Sequence, residues 1–403
     1  MSNIKPSVSY LPNLTPLRGI AALLTVIFHV DLYIGMGSGG LLRPENSLLL
    51  SKLYLMVDFF FVLSGFIMYH VYGKLFASSV DGSSFKKFAI ARFARVYPLH
   101  FFTLLYLVGL RIWFLTAGGR DADPFATSSF TWESIPTNLL LIQSMNIHNW
   151  FTWNNAAWSI STEWWMYMIF PFLVLPFMRL SSVSKIAIFV ACFAGYVFIM
   201  LVLQHYVTVP PALSFIKPRP DINVAYQFGF LRCLFGFVIG MIIYLAYKNG
   251  FAQRLFANGT TLILSTLCLA ICLHFGVPDV FTVMFYPLII LSAAYGSKNI
   301  DKLFGNKVMQ RLGDWSFSIY MVHQPIVYTF FTMQAFFNPA QPGLPAGPPP
   351  PPGLMTAWTI CLVFIAFTLL LSWLTYKYVE VPSRNWLNNS FKTRDIKSNL
   401  PTV

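Results

Sequence analysis

Arg18 and His29 stand eleven residues apart in the first apolar run, Leu17-Arg18-Gly19-Ile20 through Phe28-His29-Val30. On a helix eleven residues are close to three turns, so the two side chains share one face at a rise of ~16 Å. An ionisable group deep in an apolar segment is costly, points toward a protein interior and marks a functional path. The pair would set a cation near one surface and, on the same line, an imidazole able to move a proton. Taken singly, Arg18 also reads as a snorkelling interfacial anchor, and His29 as a bridge between helices.

Other chemistry-bearing residues recur along the chain. Asp58 opens Asp58-Phe59-Phe60-Phe61-Val62-Leu63-Ser64-Gly65, where Ser64-Gly65 is a small surface for a neighbouring helix. Arg92 and Arg95 are three apart on one helical face, and Arg suits the forked contact that phosphate oxygens accept. Basic residues that hold lipid headgroups would look the same. In Trp158-Ser159-Ile160-Ser161-Thr162-Glu163 a carboxylate flanked by hydroxyls lies at the mouth of a span, an arrangement that an aromatic belt alone does not require. Glu163 is expected on the side toward which His29 climbs, where it would orient the imidazole. Ser318-Ile319-Tyr320-Met321-Val322-His323 puts a second histidine near mid-membrane, and Glu380-Val381-Pro382 reads as a helix stop.

The elements that must position these groups are membrane helices. Of the 403 residues 56% are hydrophobic and 10% charged, far from the balance of a soluble domain. The fold class is therefore all-α, a polytopic membrane protein. Runs of ~20 apolar residues give about ten spans, near 14–35, 53–74, 98–117, 163–180, 184–206, 229–248, 257–275, 279–297, 313–336 and 355–377, with a shorter apolar piece near 135–145. Assigned to alternate sides, the loops holding Lys86 and Arg95, Arg179 and Lys185, Lys248 and Arg254, and Lys298 to Arg311 fall together with the tail. The other side receives only Arg43, Lys52, Arg120, Lys217 and Arg219. By the positive-inside rule both termini are cytoplasmic. The division is 1–13 as a cytoplasmic N-terminus, 14–380 as the membrane domain and 381–403 as a cytoplasmic tail. The first span reads as retained, not as a signal peptide.

The formal charge of +13 does not point to nucleic acid, because the basic residues are scattered between spans. The five cysteines lie in apolar runs as small hydrophobes, so neither a disulfide nor a metal site is expected. The Pro-rich stretch 338–354 reads as a stiff spacer.

In order and character these pieces resemble the membrane-bound acyltransferases of acyltransferase family 3, which include O-acetyltransferases of bacterial cell-surface polysaccharides. The resemblance runs from Leu17-Arg18-Gly19 with His29, through Phe60 to Gly65, Arg92-x-x-Arg95-x-x-Pro98 and Trp158 to Glu163, to Ser318 through His323 and Glu380-x-Pro382. It implies an acyl-CoA co-substrate, most simply acetyl-CoA, used from the cytoplasm without a metal, and an acceptor hydroxyl, often of a possibly lipid-linked sugar. It also implies a multi-pass bacterial inner-membrane location among membrane lipids. Some relatives carry an extracytoplasmic hydrolase-like domain, for which the tail after the last span leaves no room.

On this reading Arg18, Arg92 and Arg95 hold the coenzyme A phosphates. His29 takes the acceptor proton or carries the acyl group, Glu163 orients it, and Asp58, Ser159, Tyr320 and His323 contact the acceptor or line its cavity. Trp132, Trp150, Trp153 and Trp158 are available to stack on sugar rings. The alternatives are acylation of a lipid or small metabolite, and a proton-coupled transporter or flippase.

Overall fold

The computed structural model describes residues 11–35, 40–119, 124–213, 220–337 and 352–397. The described residues are helical, with no strand among them. The principal helices are α1 (Leu14–Ile34), α2 (Met56–Tyr72), α3 (Gly82–Thr116), α4 (Ala157–Arg179), α5 (Ser182–Leu201), α6 (Gly229–Lys248), α7 (Gly259–Phe275), α8 (Phe285–Tyr295), α9 (Ser316–Phe337), α10 (Leu354–Thr375) and α11 (Val381–Lys397).

Seven described helices are long and apolar enough to cross a membrane, and an eighth counts if Asp279–Tyr295 and Lys298–Phe304, bent by 97°, form one broken span. Ten is therefore not reached by length and composition. The shortfall has physical causes. α7 has only 17 residues, and α9 carries Ser316, Ser318, His323 and Gln324, all buried against the protein. A helix that turns polar groups inward can sit among other helices without being apolar throughout.

Two further expectations change. Residues 85–98 are not a turn before a span: α3 runs unbroken for 35 residues with Pro98 inside it. Asp81 starts it, accepting from the backbone N–H of Ser83 and Ser84 at 3.0 and 2.9 Å. These bonds and the Ser84 hydroxyl hold its carboxyl below the usual range. Nor does Glu380 stop a helix, since α10 passes through a π-helical turn, Tyr376–Glu380, directly into α11. The expected Pro-rich spacer lies, in 338–351, outside the described residues, as do Arg120, Lys217 and Arg219.

Small residues let the central helices touch backbone to backbone. A Cβ at Gly65 of α2 would fall 1.9 Å from the Phe237 carbonyl oxygen of α6, and one at Gly240 would fall 2.0 Å from that of Val62. Such contact replaces the hydrophobic drive that lipid removes. Gly19 does the same for α1, where a Cβ would come within 2.6 Å of the Leu312 backbone. Gly19 thereby fixes the height of its neighbour Arg18.

Candidate active site

α1 carries His29 toward one end of the bundle and Arg18 toward the other. His29 Nδ1 lies 2.9 Å from the carbonyl oxygen of Thr25, one turn back, and 3.3 Å from His323 Nε2 of α9. His323 Nδ1 in turn lies 3.3 Å from the Ile319 carbonyl oxygen. Carbonyl oxygens only accept, so each Nδ1 carries a proton in the neutral rings and each Nε2 is a bare lone pair. The His323 lone pair accepts from His29. That leaves His29 Nε2 as an unprotonated nitrogen with no hydrogen-bond partner among the described residues. A base needs such an atom, oriented by a bond to its other nitrogen.

Around this pair the polar groups are tied to one another. Tyr33, whose ring stacks on His29 with centroids 6.3 Å apart, donates its hydroxyl to Gln324 Oε1 at 3.0 Å. Tyr320 and Ser159, both buried, bond each other through their hydroxyls at 2.8 Å. Tyr320 also sets its ring edge-on to His323, 5.8 Å between centroids.

Glu163 does not hold His29. It stands six residues inside α4, ~9 Å from the helix start by the rise per residue, and accepts from the hydroxyls of Ser64 and Tyr167, the latter at 2.5 Å. Its charge faces Arg18 and is attractive to it. The carboxylate therefore belongs with the guanidiniums, and His323 takes the orienting place expected for it.

Asp58 is also engaged elsewhere. Arg232 of α6 grips it in a fork, Nε to Oδ1 at 2.9 Å and Nη2 to Oδ2 at 2.5 Å, with both side chains almost wholly buried. The remaining Arg232 donors reach Asn223, Val224 and Tyr54. Nearby, Asp279 accepts from Lys52 at 2.7 Å and Tyr54 at 2.6 Å, and burial pushes the loop carboxyl of Asp221 up. This network clamps α2 to α6, which is not the acceptor contact expected of Asp58. Arg232 was the residue sequence reasoning passed over, although a cation inside an apolar run was a signal for it.

At the other end Arg18, Arg92, Arg95 and Arg384 lie in one another's field. Arg95 pairs with buried Glu380, which also accepts from Ser318 at 2.9 Å. Arg92 donates to the Tyr72 hydroxyl at 2.7 Å and lies over the Tyr72 ring, while its Nε is buried without a partner. Arg18 makes no hydrogen bond among the described residues. Incompletely bonded guanidiniums gathered this way are an anion-binding arrangement. Among the described residues no group of three metal-ligating side chains occurs.

A helical bundle with an oriented imidazole at one end and a guanidinium cluster at the other defines a multi-pass membrane protein. The sequence profile of a family described as an acyltransferase domain, Acyl_transf_3, matches residues 12–377. The chain belongs to that family and is a membrane acyltransferase, as the resemblance in its motifs indicated. It is 28% identical over 344 residues to the acyltransferase MdmB of Streptomyces mycarofaciens, covering 80% of each chain. It is 21% identical to the peptidoglycan O-acetyltransferase OatA of Listeria monocytogenes and 22% identical to the putative peptidoglycan O-acetyltransferase YrhL of Bacillus subtilis. Those alignments cover 96% of this chain but only 58% and 56% of the two relatives. No solved structure matches the chain.

Proposed function

We propose that this acyltransferase moves an acyl group, most simply acetyl, from acyl-CoA held at the Arg18, Arg92 and Arg95 end to a hydroxyl of a carbohydrate reached at the His29 end. The observation that carries the reading is on α1 itself. One helix bears an unbonded guanidinium and, three turns on, an imidazole whose free Nε2 is set by the bond from its other nitrogen to His323.

Coenzyme A phosphates would meet Arg18 and Arg92 first, while Arg95 shares its charge with Glu380. The thin pantetheine arm would run along α1 between the helices, which brings the thioester to His29. The acceptor O–H gives its proton to His29 Nε2 and the oxygen attacks the thioester carbonyl. The C–S bond then breaks, and the departing thiolate takes the proton back, leaving an ester and free coenzyme A. His323 positions His29 and balances the partial charge that forms on it. Relatives named as peptidoglycan O-acetyltransferases support a sugar acceptor, lipid-linked or in the wall, and the scattered basic loops support cytoplasmic termini in a bacterial inner membrane.

The test is acetyl-CoA turnover by the purified chain in lipid nanodiscs, read as thiol release, beside its His29→Ala variant. Loss of about a hundred- to ten-thousand-fold in kcat is expected for removal of a general base. A variant that inserts, folds and turns over at the native rate overturns the assignment.

A further inference from the structure

The guanidinium end contains a carboxylate that takes no part in the transfer step above. Glu380 pairs with Arg95, and the two differ sharply in access: the Glu380 side chain is 1% exposed and that of Arg95 is 18% exposed. The guanidinium thus keeps an open side that the carboxylate lacks.

This pair sits among an excess of like charge. Arg95 feels the charges of Arg18, Arg92 and Arg384, and Arg18 feels the carboxylates of Glu163 and Asp314. Among the described residues Glu380 is the carboxylate in contact with Arg95. A carboxylate and a phosphate make the same forked, charge-assisted bonds to a guanidinium. They differ in strength of charge, since a phosphate monoester carries about 1.5–2 negative charges at neutral pH and a carboxylate one. In a field of four cations the phosphate is the stronger ligand for Arg95.

Displacement needs a place for Glu380 to go, and the fold supplies one. Arg384 Nη1 lies 4.0 Å from Glu380 Oε1, one helical turn further on, and its side chain is 31% exposed. The other carboxylate oxygen accepts from Ser318 at 2.9 Å, a bond that survives a swing of the first oxygen. The backbone beneath Glu380 is the π-helical turn Tyr376–Glu380, a form that is rare in helices and recurs at functional sites. Arg95 meanwhile has a second hold of its own. Its guanidinium lies over the Phe317 ring, 5.4 Å from the centroid, a contact that keeps the cation in place when the carboxylate leaves.

We propose that Glu380 is a displaceable internal anion, an autoinhibitory contact that occupies Arg95 while the donor site is empty and passes to Arg384 when the donor's phosphate takes its place. The inference concerns regulation of the donor site and rests on the acyl-transfer reading. It makes the resting site less attractive to weakly charged anions, which cannot evict the carboxylate.

The test measures binding of coenzyme A and of inorganic pyrophosphate to the full chain in nanodiscs by titration calorimetry, with the native protein and its Glu380→Gln and Ser318→Ala variants. Glu380→Gln keeps the shape and removes the competing charge. Ser318→Ala keeps the charge and loosens its hold, and it carries the test alone if Glu380→Gln does not yield a monodisperse protein. Glu380→Gln should bind both probes about tenfold more tightly, and Ser318→Ala about threefold. In the native chain, amide hydrogen exchange over 376–384 should rise when coenzyme A is added. Affinities equal to or weaker than native, or exchange over 376–384 that stays level or falls, overturn the displacement and make the pair a fixed clamp. Tighter pyrophosphate binding by the variants, with coenzyme A bound by none of the three proteins, leaves the displacement standing and sinks the acyl-CoA reading. Coenzyme A binding and acetyl-CoA turnover that the variants leave unchanged do the reverse.

Discussion

The buried fork between Arg232 and Asp58 separates a structural carboxylate from a substrate-binding one. Replacing Asp58 by Ala leaves a guanidinium 1% exposed without its counter-charge. Breaking such a pair costs about 3–5 kcal/mol. Here Arg232 keeps weaker bonds to Asn223, Val224 and Tyr54 at 3.2 to 3.4 Å, so the loss should sit near the lower bound, on the order of a hundredfold in the folded-to-unfolded ratio. Removing both charges, with Asp58→Leu and Arg232→Met, should recover most of it, because well-packed apolar replacements of a buried pair are often neutral. The assay is the fraction of each variant that stays monodisperse after heating in nanodiscs, measured beside acetyl-CoA turnover per folded molecule. Asp58→Ala should lose stability while the surviving molecules keep their KM values. Native stability with a raised acceptor KM would refute the argument and return Asp58 to the substrate.

Other outcomes follow from the same geometry. His323→Ala should lower kcat about ten- to a hundredfold, less than His29→Ala, because Thr25 still accepts from His29 Nδ1; equal losses in steady-state kinetics would show that His323 itself reacts. Arg92→Ala should raise KM for acetyl-CoA about tenfold with little change in acceptor KM, since one charge-assisted contact is worth about 1.5–3 kcal/mol, and an unchanged donor KM removes the phosphate grip. Gly65→Leu should part α2 from α6, because even a Cβ there falls 1.9 Å from a carbonyl oxygen; the loss of a monodisperse peak on size exclusion checks it.

Length and hydropathy made the helical class legible, because a segment that must hide its backbone in lipid has few other forms. The Arg18 to His29 spacing was legible for the same reason, being a matter of helical phase. What could not be read were the partners. His29 meets His323 across 294 residues, Asp58 meets Arg232 across 174 and Arg95 meets Glu380 across 285, and no local pattern encodes such pairings. The partners of Glu163, Ser64 and Tyr167 in place of His29, could not be read because its depth depends on where α4 starts, six residues earlier than the hydropathy run suggested. Pro98 and Pro382 misled in the opposite sense. Both suggest breaks, yet membrane helices tolerate proline where neighbours or a π turn accommodate the freed backbone groups, as happens at Tyr376–Glu380.

That π turn also bears on biogenesis. Glu380 leaves the ribosome 285 residues after Arg95, and until it arrives Arg95 lacks the carboxylate with which it pairs among the described residues. The early helices can therefore insert one by one, but the guanidinium end acquires this charge balance only when the helix carrying Glu380 docks. A chain stalled before Glu380 would leave the Arg95 cation unmatched at the membrane surface.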